Sequence, residues 1–96
     1  GDMVDANHAL DIGLVSQVVP DDELIAVAEA LAARISANAP MAVNAAKQAL
    51  RLSRDGEGDE LRSYLGRTLG TLLASNDHQE SVAAFLERRD PDYTGS

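Results

Sequence analysis

The stretch that decides the fold is residues 21–50, DDELIAVAEALAARISANAPMAVNAAKQAL. Its apolar residues recur with the spacing of one face of an α-helix. Three acidic residues, 21–23, open the pattern, and acidic side chains are favoured at the positive end of a helix dipole. Pro40 suits the first turn of a new helix, where its missing N–H costs nothing. The stretch therefore predicts two consecutive helices, one reaching about Asn38 and one running from Pro40 to near Ser53.

The residues before this stretch predict a short helix and a short strand. Asp5 is a favourable N-cap, and Gly13 suits the left-handed position that follows a helix. Residues 14–19 are rich in β-prone side chains, and Pro20 ends that run. A lone strand needs a partner to form a sheet, and the sequence offers no convincing second strand.

Two more helices are predicted after residue 50. Residues 54–59 carry two glycines among charges, which is typical of a linker. A helix is expected from about Asp59 to Ala74. The spacing of Asp77 and Glu80 indicates a capping box at the start of a fifth helix, and the tail, residues 92–96, is expected to be frayed. The predicted fold class is thus mainly α, with about five helices and one short β-strand near residues 14–19.

Residues 59–74 also carry two patterns that indicate helix contacts. Gly66 and Gly70 form a G-x-x-x-G pair, which in a soluble helix indicates close approach of a neighbouring backbone. Four leucines repeat every four residues and form a stripe: Leu61, Leu65, Leu69 and Leu73. Both patterns are explained by packing within the chain or by contact with other protein.

The composition excludes several classes of protein. The chain has 96 residues, no cysteine and 3% aromatic residues, so disulfides and thiolate metal sites are excluded. No apolar run reaches membrane-spanning length, and residues 1–9 lack the features of a signal peptide. The formal net charge of −8 argues against general nucleic-acid binding, which relies on cationic side chains. A cytoplasmic location is expected.

The search for a catalytic centre finds no complete one. Asp77 and Glu80 could act as paired carboxylates, but helix capping explains their spacing better. His8 and His78 lie far apart in sequence and match no metal-ligand pattern, so surface positions are the simpler interpretation. No serine lies in a nucleophile elbow, and Gly56 and Gly58 lie among acids that would repel phosphate.

Two basic features remain as candidate contact sites for anions. Lys47, Arg51 and Arg54 share one helix face, which is explained by a solvated exterior or by an anion contact. Phe85 is the only phenylalanine, and Arg88 follows it by one helical turn. A ring beside a guanidinium suits a nucleotide, because the base can stack and the cation can meet a phosphate. The alternative is a core phenylalanine beside an arginine that complements the helix dipole.

The chain resembles the enoyl-CoA hydratase/isomerase (crotonase) family along essentially its whole length. The matching residues occur in the family's order and spacing: residues 1–6, Ala9, 13–15, 18–20, Ala39, Pro40, Ala42, Lys47, Ser75, Asp77, Glu80, 84–87, Arg89, Pro91 and Gly95. No single match is diagnostic, but the ordered set is fairly specific. Three positions depart from the family pattern: Arg88 where lysine is usual, Leu69 where some hydratases have an aromatic, and Ser81 where glycine is common.

The resemblance implies that the chain is the C-terminal part of a longer enzyme. Residues 1–20 would be the end of the crotonase core, and residues 21–96 would be the C-terminal helical region that builds a homotrimer or hexamer. Phe85 and Arg88 would contact the CoA of a neighbouring subunit. The oxyanion-hole and acid/base groups would lie upstream, so no residue here is expected to be catalytic, to hold a metal or to bind a cofactor beyond the acyl-CoA substrate.

The sequence leaves the reaction open. Hydration of a 2-enoyl-CoA is expected from the family's commonest activity, and enoyl-CoA isomerisation is the alternative, because one scaffold supports many reactions. A second kind of alternative is a helical interaction module that has no enzymatic role and binds no acyl-CoA.

Overall fold

The computed structural model describes residues 1–55 and 58–96, and within those ranges the chain forms five α-helices and no strand. The helices are α1 (Ala6–Asp11), α2 (Leu24–Ser36), α3 (Pro40–Asp55), α4 (Gly58–Leu73) and α5 (Asn76–Glu87). A 3₁₀ turn, Asp21–Glu23, precedes α2. The predicted mainly helical class is confirmed. The linker predicted at 54–59 falls partly on Gly56 and Glu57, which lie outside the described residues.

The chain divides into two compact units, Gly1–Ala32 and Ala33–Ser96. In the first unit, α1 has the caps that the sequence predicts. The Asp5 carboxylate accepts a hydrogen bond from the His8 amide at 2.8 Å, and Gly13 takes a left-handed φ of 73°. The cap satisfies one of the amides that a helix start leaves without an intrahelical partner.

The strand predicted at residues 14–19 is wrong. The amides of Leu14 and Val15 donate to the Ala9 carbonyl at 2.8 and 3.3 Å, so they complete the turn that ends α1. Donors used in that way cannot join a ladder. The described parts of the chain also supply no second strand, and a strand exists only when another pairs with it. Bends and irregular backbone occupy these positions instead.

The second unit is built on the packing of α3 against α4 and of α4 against α5. Four alanines of α3 line one wall of a groove of about 210 Å³ between α3 and α4: Ala42, Ala45, Ala46 and Ala49. Small side chains let two helices approach closely, and the Tyr64 hydroxyl donates to the Ala45 carbonyl at 3.4 Å. Leu50 belongs to the apolar pattern that predicts this helix, but it is exposed.

Ser75 connects α4 to α5 with a single side chain. Its hydroxyl donates to the Leu72 carbonyl at 2.7 Å and accepts from the His78 amide at 3.1 Å. It therefore serves the end of one helix and the start of the next, where both have groups without intrahelical partners. The N-cap of α5 is Ser75, and the capping role predicted for Asp77 is wrong.

Candidate functional site

Phe85 lies on the last turn of α5, and 82% of the residue is exposed. Val82, one turn earlier on the same side, and Leu86, the next residue in the chain, are exposed as well. A core phenylalanine would be buried, because a buried ring contributes strongly to folding. The interpretation of Phe85 as a core residue is therefore wrong, and its ring is accessible to a ligand or to another protein surface.

Arg88 ends α5 in the left-handed region of backbone conformation, with φ 55° and ψ 42°. The amides of Arg88 and Arg89 donate to the carbonyls of Phe85 and Ala84 at 3.4 and 3.1 Å, which is the Schellman pattern. Glycine is the usual residue there, since a side chain in this conformation costs about 1 kcal/mol. The chain accepts this cost at Arg88, whose side chain is exposed.

The two predicted contact residues thus share one helix end. Phe85 and Arg88 are one turn apart, joined by a backbone hydrogen bond, and both are exposed. An accessible ring offers a stacking surface, and a guanidinium offers two donors to a phosphate. The arrangement suits a ligand that combines an aromatic base with an anionic group.

Residues 92–96, here called the C-terminal strap, run back along α5 from its end towards its start. The Asp92 amide donates to Glu80 at 2.8 Å, and the Tyr93 hydroxyl lies 3.0 Å from the Ser81 hydroxyl. At the far end, the Ser96 carbonyl accepts from the Asp77 amide at 3.1 Å. The prediction of a frayed tail is wrong, because α5 supplies partners along the length of the strap.

Asp77 holds the strap through a buried carboxylate. The residue is 2% exposed, and its side chain accepts from the amides of Thr94 at 2.8 Å and Gly95 at 3.0 and 3.1 Å. Backbone donors satisfy a charge that would otherwise be costly to bury. Sequence reasoning missed this role, since the partners lie 17 and 18 residues away and no local spacing signals them.

Glu80 and Arg89 fix the chain where it leaves α5. The Arg89 guanidinium pairs with both Glu80 oxygens, one contact measuring 2.9 Å, and with Glu87 at 2.6 Å. Hydrogen bonds from Arg89, and then from the Asp92 amide, lower the pKa of Glu80 from 4.5 to about 2. The same pairs raise the pKa of Arg89, with Glu80 the larger cause.

The lowered pKa of Glu80 predicts an acid dependence of stability. Its pairing stabilises the folded chain fully above pH 4.5, and the contribution is lost as the pH falls from there towards about 2. Thermal unfolding of the wild type and of Glu80→Gln should therefore differ most near neutral pH and converge as acid is added. If the difference in melting temperature between the two proteins stays constant from about pH 6 to about pH 2, this assignment of the pKa is contradicted.

The leucine stripe of α4 is only partly covered within the described residues. Leu61 is the most buried of the four. Leu65, Leu69 and Leu73 are each about half exposed, and these three are here called the α4 ridge. A repeat of four residues drifts by about 40° per step around a helix, so the stripe runs from the groove beside α3, which Leu65 and Leu69 line, towards the side of the two glycines. A Cβ added at Gly66 or Gly70 would meet nothing within 4 Å. The α4 ridge and the two glycines therefore present an open surface on α4.

The basic face of α3 is exposed, as its solvated interpretation predicts. Lys47 and Arg51 are exposed, and Arg54 forms an exposed ion pair with Asp55 at 2.6 Å. That pair lowers the pKa of Asp55 and raises the pKa of Arg54. One of the three cations is thus already paired, which weakens the interpretation of this face as an anion site.

Within 1–55 and 58–96, no cluster of three or more histidine or acidic side chains has a geometry that could hold a metal ion. His8 and His78 lie in different units of the chain. None of the helices in these ranges combines the length and apolar character needed to cross a membrane.

Comparison with known proteins gives consistent matches. Residues 1–96 match the family model described as Enoyl-CoA hydratase/isomerase. The chain is 41% identical over 98 residues to 2,3-dehydroadipyl-CoA hydratase of Escherichia coli (strain K12), covering 99% of this chain and 37% of that protein. It is 43% identical over 86 residues to mitochondrial Delta(3,5)-Delta(2,4)-dienoyl-CoA isomerase of Rattus norvegicus, covering 88% of this chain and 26% of that protein. The chain therefore spans less than two fifths of the length of these relatives.

Solved structures show the same likeness in three dimensions. An enoyl-CoA hydratase from Mycobacterium tuberculosis H37Rv superposes with a TM-score of 0.89 at 36% identity, over 100% of this chain and 38% of that one. An enoyl-CoA hydratase from Bacillus anthracis gives a TM-score of 0.86 at 31% identity, over 95% of this chain and 35% of that one. The fold that the resemblance implied is confirmed.

Proposed function

We propose, since the chain belongs to the enoyl-CoA hydratase/isomerase family, that it is the C-terminal segment of an acyl-CoA-processing enzyme. Hydration of a 2-enoyl-CoA is the proposed reaction, because relatives such as those in E. coli and Clostridium acetobutylicum are named hydratases. The acyl-CoA is the proposed substrate, with no further cofactor. A cytoplasmic location is part of the proposal, and cell fractionation tests it.

This segment contributes CoA contacts and assembly in the proposed enzyme, and not the chemical step. By the resemblance, the donors that would stabilise a thioester enolate lie in the upstream part. No residue of this chain is proposed to be catalytic, and the segment alone is proposed to be inactive. Residues 1–20 are proposed as the end of the core and residues 21–96 as the helical oligomerisation region.

One observation carries the CoA contact: an exposed phenylalanine lies one turn before an arginine in an unfavourable backbone conformation. The exposed ring of Phe85 does not contribute to the core of this chain. Arg88 occupies a left-handed position where glycine would have a lower conformational energy. Both features are explained if the ring meets the adenine of a CoA and the guanidinium meets one of its phosphates.

The test is the steady-state kinetics of the longer enzyme with Phe85→Ala and Arg88→Ala. Loss of base stacking is worth about 1–3 kcal/mol, so Phe85→Ala should raise KM for the acyl-CoA roughly tenfold. Arg88→Ala should raise KM several-fold, and less so at high salt, because an exposed charge is screened. In both variants kcat should change little, since the lost contact is remote from the reacting carbons.

Two matched variants sharpen this test. Leu86→Ala removes an apolar side chain that is 74% exposed beside Phe85, and it should leave KM near the wild-type value. Arg88→Gly removes the cation but relieves the left-handed backbone, so it should stabilise the chain by up to about 1 kcal/mol while raising KM. If neither Phe85→Ala nor Arg88→Ala moves KM, the assignment of these residues to CoA fails.

The proposed assembly is a homotrimer or a dimer of trimers. The open surface of α4, formed by the α4 ridge with Gly66 and Gly70, supports it, because large contiguous apolar surfaces usually meet another protein surface. The partner is either another subunit or the upstream part of the same polypeptide. Sedimentation analysis of the longer enzyme distinguishes a trimer or hexamer from a monomer.

Substituting the two glycines separates helix stability from assembly. In the 96-residue chain, Gly66→Ala and Gly70→Ala should each stabilise α4 by about 0.5–1 kcal/mol, because alanine is the better helix former and the space is open. In the assembled enzyme the same changes should weaken association, since the added methyl groups hold the two surfaces apart. Chemical denaturation and sedimentation equilibrium measure the two effects. Stabilisation of both chain and assembly would show that this face stays open.

Enoyl-CoA isomerisation is the second candidate, favoured by the 43% identity to the dienoyl-CoA isomerase of Rattus norvegicus. Assays of the longer enzyme with 2-enoyl-CoA and 3-enoyl-CoA substrates decide between the two reactions. A non-enzymatic interaction module would show neither activity and no acyl-CoA binding in calorimetric titration.

A further inference from the structure

We infer that Asp77 and Glu80 are positioning residues that hold the C-terminal strap and thereby fix the placement of Phe85 and Arg88. The inference rests on the proposed function, in which those two residues meet CoA. Asp77 and Glu80 do not touch the ligand in this proposal. They act through the strap on the helix end that carries the contact.

The geometry shows a closed loop that begins and ends on α5. The chain leaves the helix at Arg88, turns in the left-handed conformation, and returns with Asp92 bonded to Glu80 and with Thr94 and Gly95 bonded to Asp77. The Arg89 side chain ties the start of the return to the same Glu80. The reversal at Arg88 is therefore held from both sides.

The strap can affect the last turn of α5 because the backbone of Arg88 is left-handed. A residue with a side chain leaves that conformation when nothing holds it, because extended and right-handed conformations are lower in energy. In this chain the two Schellman hydrogen bonds close the turn at Arg88, and two carboxylates hold the residues that follow, so Arg88 relaxes more readily once the strap is released. Release of the strap should let the last turn of α5 unwind, and Phe85 lies on that turn.

The strap also reaches the start of α3. A Cβ built on Gly95 would lie 3.7 Å from the Pro40 Cβ, which is an ordinary contact distance. Gly95 itself has a positive φ of 78°, so the backbone conformation there favours glycine. Asp77 therefore binds a part of the strap that also contacts a second helix, near the start of α5.

The experiment uses the longer enzyme with Glu80→Gln and Asp77→Asn, and with Asp92→Asn as the matched control. Asp92→Asn removes one negative charge within the strap, but the structure shows only its amide, not its side chain, bonded to Glu80. Two quantities are measured: hydrogen exchange of the peptide containing residues 90–96, and KM and kcat for the acyl-CoA. Glu80 is less buried than Asp77, and glutamine keeps its shape and one acceptor oxygen, so Glu80→Gln should fold even if Asp77→Asn does not.

Glu80→Gln and Asp77→Asn should speed exchange in the strap at least tenfold and raise KM about as much as Arg88→Ala does, with kcat nearly unchanged. Asp92→Asn should alter neither quantity. A purely structural role would lower the amount of folded enzyme without shifting KM. In an enzyme that already carries Phe85→Ala and Arg88→Ala, adding either strap variant should raise KM no further, because the strap acts through those two residues.

Two results would overturn the inference. In the first, the strap exchanges faster but KM stays at the wild-type value while Phe85→Ala and Arg88→Ala still raise it. The proposed CoA contact then stands and the positioning role falls. In the second, neither Phe85→Ala nor Arg88→Ala changes KM, so the proposed contact fails and the positioning role fails with it, whatever the exchange rate.

Discussion

Replacing Asp77 by alanine should lower the free energy of unfolding of the 96-residue chain by about 2–4 kcal/mol. The carboxylate is buried and accepts hydrogen bonds from the amides of Thr94 and Gly95. Alanine removes the acceptor, and both amides lose a partly buried hydrogen bond. Loss of a hydrogen bond to a carboxylate costs about 1–3 kcal/mol, so two of them account for the expected range.

Chemical denaturation of the wild type and Asp77→Ala measures this effect. The slope of the unfolding free energy against denaturant concentration should fall slightly in the variant, because a detached strap leaves less surface to expose on unfolding. Asp92→Ala is the control, because it removes a carboxylate from the strap and spares the amide that bonds to Glu80. It should change stability by less than about 0.5 kcal/mol. An equal loss in both variants would mean that charge, and not hydrogen bonding to the strap, is what Asp77 contributes.

The second large effect is expected at the centre of the α4 ridge. Leu69→Asp should raise the dissociation constant of the proposed oligomer at least ~100-fold, because an interface loses the burial of one leucine and gains a charge without a partner. Within this chain Leu69 is 57% exposed, so the same change should affect the stability of the isolated segment far less. Sedimentation equilibrium across a range of enzyme concentrations gives the dissociation constant.

Thr71→Asp is the matched control for this prediction. Thr71 is exposed on the same helix, about 160° around the axis from Leu69, and it receives the same charge. The oligomer should tolerate Thr71→Asp. If Leu69→Asp leaves the assembly intact as well, the α4 ridge does not form a subunit contact, and the upstream part of the polypeptide becomes the better candidate for covering it.

What could be predicted from the sequence was the part of the fold governed by neighbours along the chain. The cap of α1 by Asp5 and the left-handed Gly13 follow from rules that act within a few residues. Pro40 begins α3 for the same kind of reason. The strand at 14–19 failed because a strand depends on a partner, and β propensity alone says nothing of where the amides of Leu14 and Val15 find acceptors.

In the candidate site, too, the features set by residues near in sequence were predicted and those set by distant residues were not. Phe85 and Arg88 were found because they are one turn apart and match a family pattern, but their exposure and the left-handed turn could not be read from that spacing. Asp77 was assigned to capping because its local neighbours allow it. Its partners are in the tail, which the sequence predicts to be frayed, and only the folded structure brings the tail next to Asp77.

The contact of Tyr93 with Ser81 has a practical consequence for spectroscopy. The chain has no tryptophan and two tyrosines, so its tyrosine fluorescence comes from Tyr64 and Tyr93 alone. Tyr64 lines the groove between α3 and α4, and Tyr93 lies where the tail meets α5. A Tyr64→Phe variant would carry one tyrosine, and the lifetime of its fluorescence would report when the end of the chain detaches from α5, without any attached dye.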